Sequence, residues 1–176
     1  MLTLRPLRWP EDREPLLALD TSFTTDRVYR VVASGLSFAL EATPVAPSLR
    51  KVYDLSGEVD GLPGFERVII AEVGGELAGM AALKYEAWNR RAVLWHLYIG
   101  PAHRGRGVGR ALVDAAVAAA RQFPARCLWL ETQSVNYGAI QFYQRVGFRC
   151  CGLDTTLYDL GGAAEEAAVF FARPLP

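Results

Sequence analysis

The chain has 176 residues, with 19 Lys+Arg balanced by 19 Asp+Glu, so no global field draws it to nucleic acid or to an anionic membrane. That length suits one domain, 1–176, burying about 70% of its unfolded surface. Cys127, Cys150 and Cys151 show no Cys-x-x-Cys spacing, an odd count that fits a reducing compartment, and only His96 and His103 offer imidazoles for a metal. The first ten residues lack a signal-peptide apolar core, and no uncharged apolar run approaches the roughly 18 residues of a membrane span. The expectation is a soluble, cytoplasmic protein with no metal.

Leu2-Thr-Leu4 alternates as a short strand, and Glu11–Asp20 follows as a helix in which Pro15 bends or restarts the chain. Thr24 to Glu41 reads as two strands around Ser34-Gly35, with a helix as the alternative for the first arm. Pro44, Pro47, Pro63 and three glycines make 42–64 a loop region with a short helix near Ser48–Leu55, so 24–64 combines a hairpin with a substrate lid. Phe65–Glu72 and Leu77–Tyr85 flank the Gly74-Gly75 turn, and Ala92–Ile99 completes a three-stranded meander.

From Gly107 to Gln122, Leu112, Val113, Ala116, Val117 and Ala120 recur at helical spacing until Pro124 ends the run. Cys127–Glu131 is then a strand parallel to Ala92–Ile99, because a strand–helix–strand crossover links them. Ser134-Val135-Asn136 opens a second helix, which runs through Val146 and is closed by Gly147. Phe148–Leu153 and Glu166–Arg173 are the final strands, separated by an Asp-Leu-Gly-Gly turn. Cys150 and Cys151 read as buried thiols, and Trp88, Trp95 and Trp129 as core or pocket wall.

The stretch His103-Arg104-Gly105-Arg106-Gly107-Val108-Gly109-Arg110 stands between a strand and a helix. Such a turn points unpaired backbone N–H groups at an anion, and arginine adds forked donors to phosphate oxygens. Its glycines do not follow the dinucleotide spacing Gly-x-Gly-x-x-Gly, and no Gly-Lys-Ser/Thr is present for a triphosphate loop. What remains is Arg104-x-x-Gly107-x-Gly109. Forty residues on comes Leu130-Glu131-Thr132-Gln133-Ser134-Val135-Asn136, then Phe142-Tyr143 and Gly147-Phe148.

Together these two blocks resemble the GNAT acetyltransferase superfamily, and within it the chain is similar to streptothricin acetyltransferases. The resemblance covers about Leu77 to Tyr158. It implies a mixed α/β (α+β) acyl-CoA N-acyltransferase fold. In that fold the central sheet is mostly antiparallel, one parallel strand pair is splayed at the CoA site, and helices flank the sheet. It implies acetyl-CoA as cosubstrate and a primary amine as acceptor, with antibiotic resistance as one setting. Arg104, Gly105, Arg106, Gly107, Val108, Gly109 and Arg110 would hold the pyrophosphate. Leu97, Tyr98 and Ile99 would pair with pantetheine, while Asn136, Ala139 and Phe142 would lie beside it.

Tyr143 is the expected general acid, its phenol delivering a proton to the departing thiolate. Where streptothricin-type relatives carry an acidic pair, this chain has Trp95-His96, so His96 is the candidate general base; a histidine bonded inside the sheet is the alternative. Glu41, Glu72, Glu131 and Asp154 are further acids for the acceptor pocket. Three functions follow in order: small-molecule N-acetyltransferase, protein or peptide N-acetyltransferase, and a CoA-binding sensor. The expected partners are acetyl-CoA and a small amine, with no nucleic acid and no membrane, and a homodimer is the oligomer considered.

Overall fold

The computed structural model describes residues 1–158 and 166–175, so the Asp-Leu-Gly-Gly turn lies outside the described residues. The chain divides into two compact units, Met1–Ser22 with Val52–Trp129 and Pro174–Pro176, and Phe23–Lys51 with Leu130–Arg173.

In the first unit β1 (Leu2–Pro6), α1 (Arg13–Leu17), β4 (Arg67–Val73), β5 (Glu76–Glu86), β6 (Arg91–Ile99) and α2 (Val108–Ala120) precede the start of β7 (Cys127–Gln133). Its strands run β1-β4-β5-β6 in antiparallel register, and β7 joins in parallel, pairing Arg91 with Cys127 through Val93 with Trp129. Period-two alternation sends Val68, Ile70, Met80 and Ala82 to one face, where they pack with Leu16, Val59 and Leu62. Ala71, Ala81 and Leu83 are buried on the other, where α2 packs across β4, β5 and β6 with Leu112, Val113, Ala116 and Val117 inward. Each fully buried leucine or valine contributes roughly 1.5–3 kcal/mol. The first helix is shorter than expected: Pro15 occupies its first turn, where the missing N–H costs no helical bond.

In the second unit β2 (Phe23–Ser34) and β3 (Ser37–Lys51) form a long antiparallel hairpin turned at Gly35, which has φ 58°. The end of β7 continues into α3 (Tyr137–Arg145), β8 (Arg149–Asp154) and β9 (Ala168–Pro174), with strand order β7-β9-β8. Gly147 at φ 90° closes α3: its N–H reaches the Gln144 carbonyl and that of Phe148 reaches Tyr143, the paired bonds of a Schellman cap. The core of this unit gathers Val28, Leu130, Ile140, Val146, Phe148, Val169 and Phe171.

The first hairpin arm is a strand, as expected, and its helical alternative is not adopted. Three other expectations need correction. The short helix near Ser48–Leu55 is absent because β3 runs on to Lys51, opposite Phe23. Pro44 and Pro47 are compatible with this because a two-stranded sheet leaves every strand an outer edge where no N–H is required. The helical turn of that region lies instead at Val59–Gly64. Cys150 and Cys151 are exposed, since β8 ends the strand order and is bulged between Cys150 and Gly152. Trp88 is 86% exposed in the β5–β6 turn rather than in the core.

Candidate active site

In the first unit β6 leads through the 3-10 turn Pro101–His103 into the arginine-glycine segment and α2. Gly105 (φ 73°) and Gly107 (φ 85°) are left-handed, and a Cβ at either would meet nothing; glycine is needed there for its dihedrals rather than for space. Gly107 caps α2, so the N–H groups of Val108, Gly109 and Arg110 have no acceptor within the helix and point outward with the positive end of its dipole. Arg106 and Arg110 are exposed, Arg110 lying 3.8 Å from Asp114. Arg104 differs. Its backbone N–H goes to the Pro101 carbonyl, its Nε donates to the Ile99 carbonyl at 2.9 Å and its Nη2 to that of Ser22 at 2.7 Å. Burial lowers the pKa of this guanidinium, against the pull of Asp20.

Leu97, Tyr98 and Ile99 pair with Ala81, Met80 and Gly79 of β5 and are half-buried. Upstream the register slips, with Ala82 opposite His96 and Leu83 opposite Leu94, so Trp95 is the extra residue of a bulge. Consecutive strand residues face opposite sides, but the bulge brings the rings of both Trp95 and His96 against Phe65, at 6.4 and 5.6 Å. The Lys84 ammonium sits over the Phe65 and Trp95 rings at 4.4 and 4.2 Å.

His96 is 4% exposed, and its Nε2 lies 3.1 Å from the Glu58 carboxylate. Burial, then the Lys84 charge, pushes its pKa down to about 4. The imidazole is therefore neutral at pH 7, with Nε2–H donated to Glu58 and the lone pair on Nδ1. Glu58 does not restore the charge, because its own side chain is half exposed and solvent screens it.

In the second unit Asn136 caps α3, its side-chain oxygen accepting from the Ala139 N–H at 3.2 Å. Phe142 and Tyr143 follow one turn on. Tyr143 is 8% exposed, its ring against Phe142, Phe148 and Phe171 at 5.6, 5.7 and 6.2 Å. The Tyr158 hydroxyl donates to the Glu131 carboxylate on β7. Burial raises the Glu131 carboxyl, opposed by that hydrogen bond and by Lys51. Water still reaches Glu131, so this acid is both crowded and accessible. Of the other acids, Glu72 is bonded to Arg5 and Asp154 caps the turn at Thr156, while Glu41 is an exposed hairpin residue.

Glu58, Lys84 and Gly79 carried no sequence signal, because each matters only through a partner distant in the chain. Tyr158 stands at the end of the Leu77–Tyr158 stretch of resemblance, which implied no role for it. Among the described residues no group of three or more His, Cys, Asp or Glu could hold a metal ion, and no helix is long and apolar enough to cross a membrane.

A strand feeding a left-handed glycine turn and a helix N-terminus with no side-chain cap presents free backbone N–H groups to an anionic ligand such as a phosphate. Residues 39–148 match the Acetyltransferase (GNAT) family, and the chain belongs to it. It is an N-acetyltransferase, and acetyl-CoA is the cosubstrate of this family. The chain is 42% identical over 175 residues to a streptothricin acetyltransferase of Streptomyces lavendulae, covering 95% of this chain and 92% of that one. Its structure matches the crystal structure of a nourseothricin acetyltransferase with a TM-score of 0.88 at 42% identity, over 99% of both chains. A Bacillus anthracis (strain Ames) protein assigned as a streptothricin acetyltransferase, in complex with acetyl coenzyme A, matches with a TM-score of 0.85 at 25% identity, again over 99% of both. The mixed, mostly antiparallel fold with its parallel β6–β7 pair is the GNAT fold.

Proposed function

We propose that this enzyme transfers the acetyl group of acetyl-CoA to a primary amine of a small cationic antibiotic of the streptothricin class. The observation that carries the acceptor assignment is the 42% identity to a streptothricin acetyltransferase across nearly the whole of both chains. In this reading the N–H groups of Gly105 to Arg110 bind the donor's pyrophosphate, and the β6 segment Leu97–Ile99 pairs with the pantetheine amides. A backbone N–H of that segment polarises the thioester carbonyl, which is usually the largest single term in such reactions. Asn136, Ala139 and Phe142 flank the pantetheine arm.

The amine must reach the thioester unprotonated. Its lone pair forms the C–N bond, the carbonyl electrons move to oxygen, and a base accepts the nitrogen's proton. Collapse of the tetrahedral intermediate breaks the C–S bond, and Tyr143 supplies a proton to the CoA thiolate. Two groups compete as base. His96 holds a free lone pair at neutral pH, but at a pKa of about 4 it is a weak one. The carboxyl of Glu131 is shifted the other way by burial and is the second candidate.

The reading places the enzyme in the cytoplasm, where its cosubstrate is made, and a homodimer remains part of it, to be tested by light scattering. The functional test is release of free CoA thiol from acetyl-CoA with a panel of amines. Turnover with streptothricin-type amines is the expected result. CoA binding without thiol release from any small amine, alongside activity on peptide amines, would move the acceptor to proteins.

A further inference from the structure

Two side-chain donors of Arg104, the arginine that opens the phosphate-binding signature, are committed to carbonyl oxygens, one at the end of β6 (Ile99) and one on Ser22, 82 residues away in the sequence. Charge-assisted bonds of this kind are roughly twice as strong as neutral ones. Ser22 is fixed from its other side too, its N–H going to the Asp20 carboxylate at 2.8 Å. Its neighbour Thr21 donates its hydroxyl to the Tyr53 carbonyl. The Tyr53 ring lies 5.7 Å from that of Tyr98, which in turn lies 5.7 Å from that of His96. His96 meets Glu58. A continuous line of contacts thus runs from the arginine-glycine turn to the 53–58 segment, all within the first unit.

We infer that Arg104 is a positioning residue: its guanidinium clamps the end of β6 to Thr21–Ser22 and so holds the 53–58 segment, part of the expected substrate lid, in place, and does not grip the donor's phosphates. The inference rests on the acetyltransferase reading above and extends it. A clamp across two carbonyls needs the fixed fork of a guanidinium. A forked phosphate contact would share that need, so the salt dependence of the acetyl-CoA Kd and the acceptor KM, read together, separate the two roles.

The test compares Arg104→Met and Arg104→Lys with the wild type and with Arg106→Met. In both Arg104 variants the acceptor KM rises about tenfold, with the acetyl-CoA Kd moving less than about threefold. That Kd keeps its wild-type dependence on ionic strength, because no exposed charge pair with the ligand has been removed. A large rise in the acetyl-CoA Kd with a flattened salt dependence and an unchanged acceptor KM would make Arg104 a phosphate ligand and overturn the inference. So would wild-type behaviour of the lysine variant, or no change in either constant. If the wild type acetylates no amine, the functional reading fails by itself, and the clamp is then judged by hydrogen exchange in 21–22 and 53–58. Faster exchange in both Arg104 variants supports it, and unchanged exchange refutes it.

Discussion

Gly79 on β5 lies so close to Tyr98 on β6 that a Cβ on the glycine would stand 2.5 Å from the Tyr98 carbonyl oxygen and 3.2 Å from the Ile99 Cα. Both obstacles are backbone, so neither can rotate aside. The strand proposed to face pantetheine is thereby held against its neighbour by the absence of a side chain.

Gly79→Ala therefore displaces the Tyr98–Ile99 backbone. Overpacking of this kind costs about 1–3 kcal/mol, and the acetyl-CoA KM rises with it because the moved groups are the proposed pantetheine partners. Thermal unfolding and steady-state kinetics on one sample check both effects. An unaltered Tm together with an unaltered KM would show that this end of β6 adjusts freely.

Tyr143→Phe removes a hydroxyl and leaves the ring among Phe142, Phe148 and Phe171. As general acid, Tyr143 predicts a fall in kcat of about a hundredfold or more with acetyl-CoA affinity kept. Single-turnover kinetics beside a calorimetric Kd separates the two. An equal loss in both quantities would assign the tyrosine to packing.

His96 makes folding pH-dependent in a defined direction. Its native pKa, about 4, lies below the ordinary 6.5, so between these values the unfolded chain binds the extra proton. Stability falls as pH drops from 6.5 toward 4, by up to about 3 kcal/mol, and this contribution levels off below 4. Urea midpoints across that range should show the slope, reduced in His96→Asn. In Lys84→Met the slope should also be shallower, since the Lys84 charge is the second cause of the shift. An identical slope in His96→Asn would place the pH dependence elsewhere.

The two candidate bases separate in the pH profile of kcat/KM. With Glu131 as base, Glu131→Gln loses about a hundredfold and flattens the acid limb, while His96→Asn keeps that limb. The reverse pattern would return the role to His96.

What was legible in the sequence was local. Glycine spacing at 105–109 located the turn, Asn136 and Gly147 marked the two ends of α3, and apolar periodicity marked the buried side of α2. Signals that depend on the partner strand were not legible. Pro44 and Pro47 argue for a loop until the hairpin supplies an outer edge, and the exposure of Cys150 and Cys151 depends on β8 ending the strand order with a bulge. The bulge at Trp95 exists only as a register slip against β5, yet it decides that Trp95 and His96 share a side. Glu58 and His96 are 38 positions apart, and neither residue announces the other.

The most direct measurement is mass spectrometry of a streptothricin-type amine incubated with the wild-type enzyme and acetyl-CoA, with thiol release followed in parallel. The expected product carries one acetyl group per acceptor on an amine nitrogen, formed in step with one free CoA. Thiol release with no acetylated amine, or no turnover while acetyl-CoA binds, would contradict this expectation.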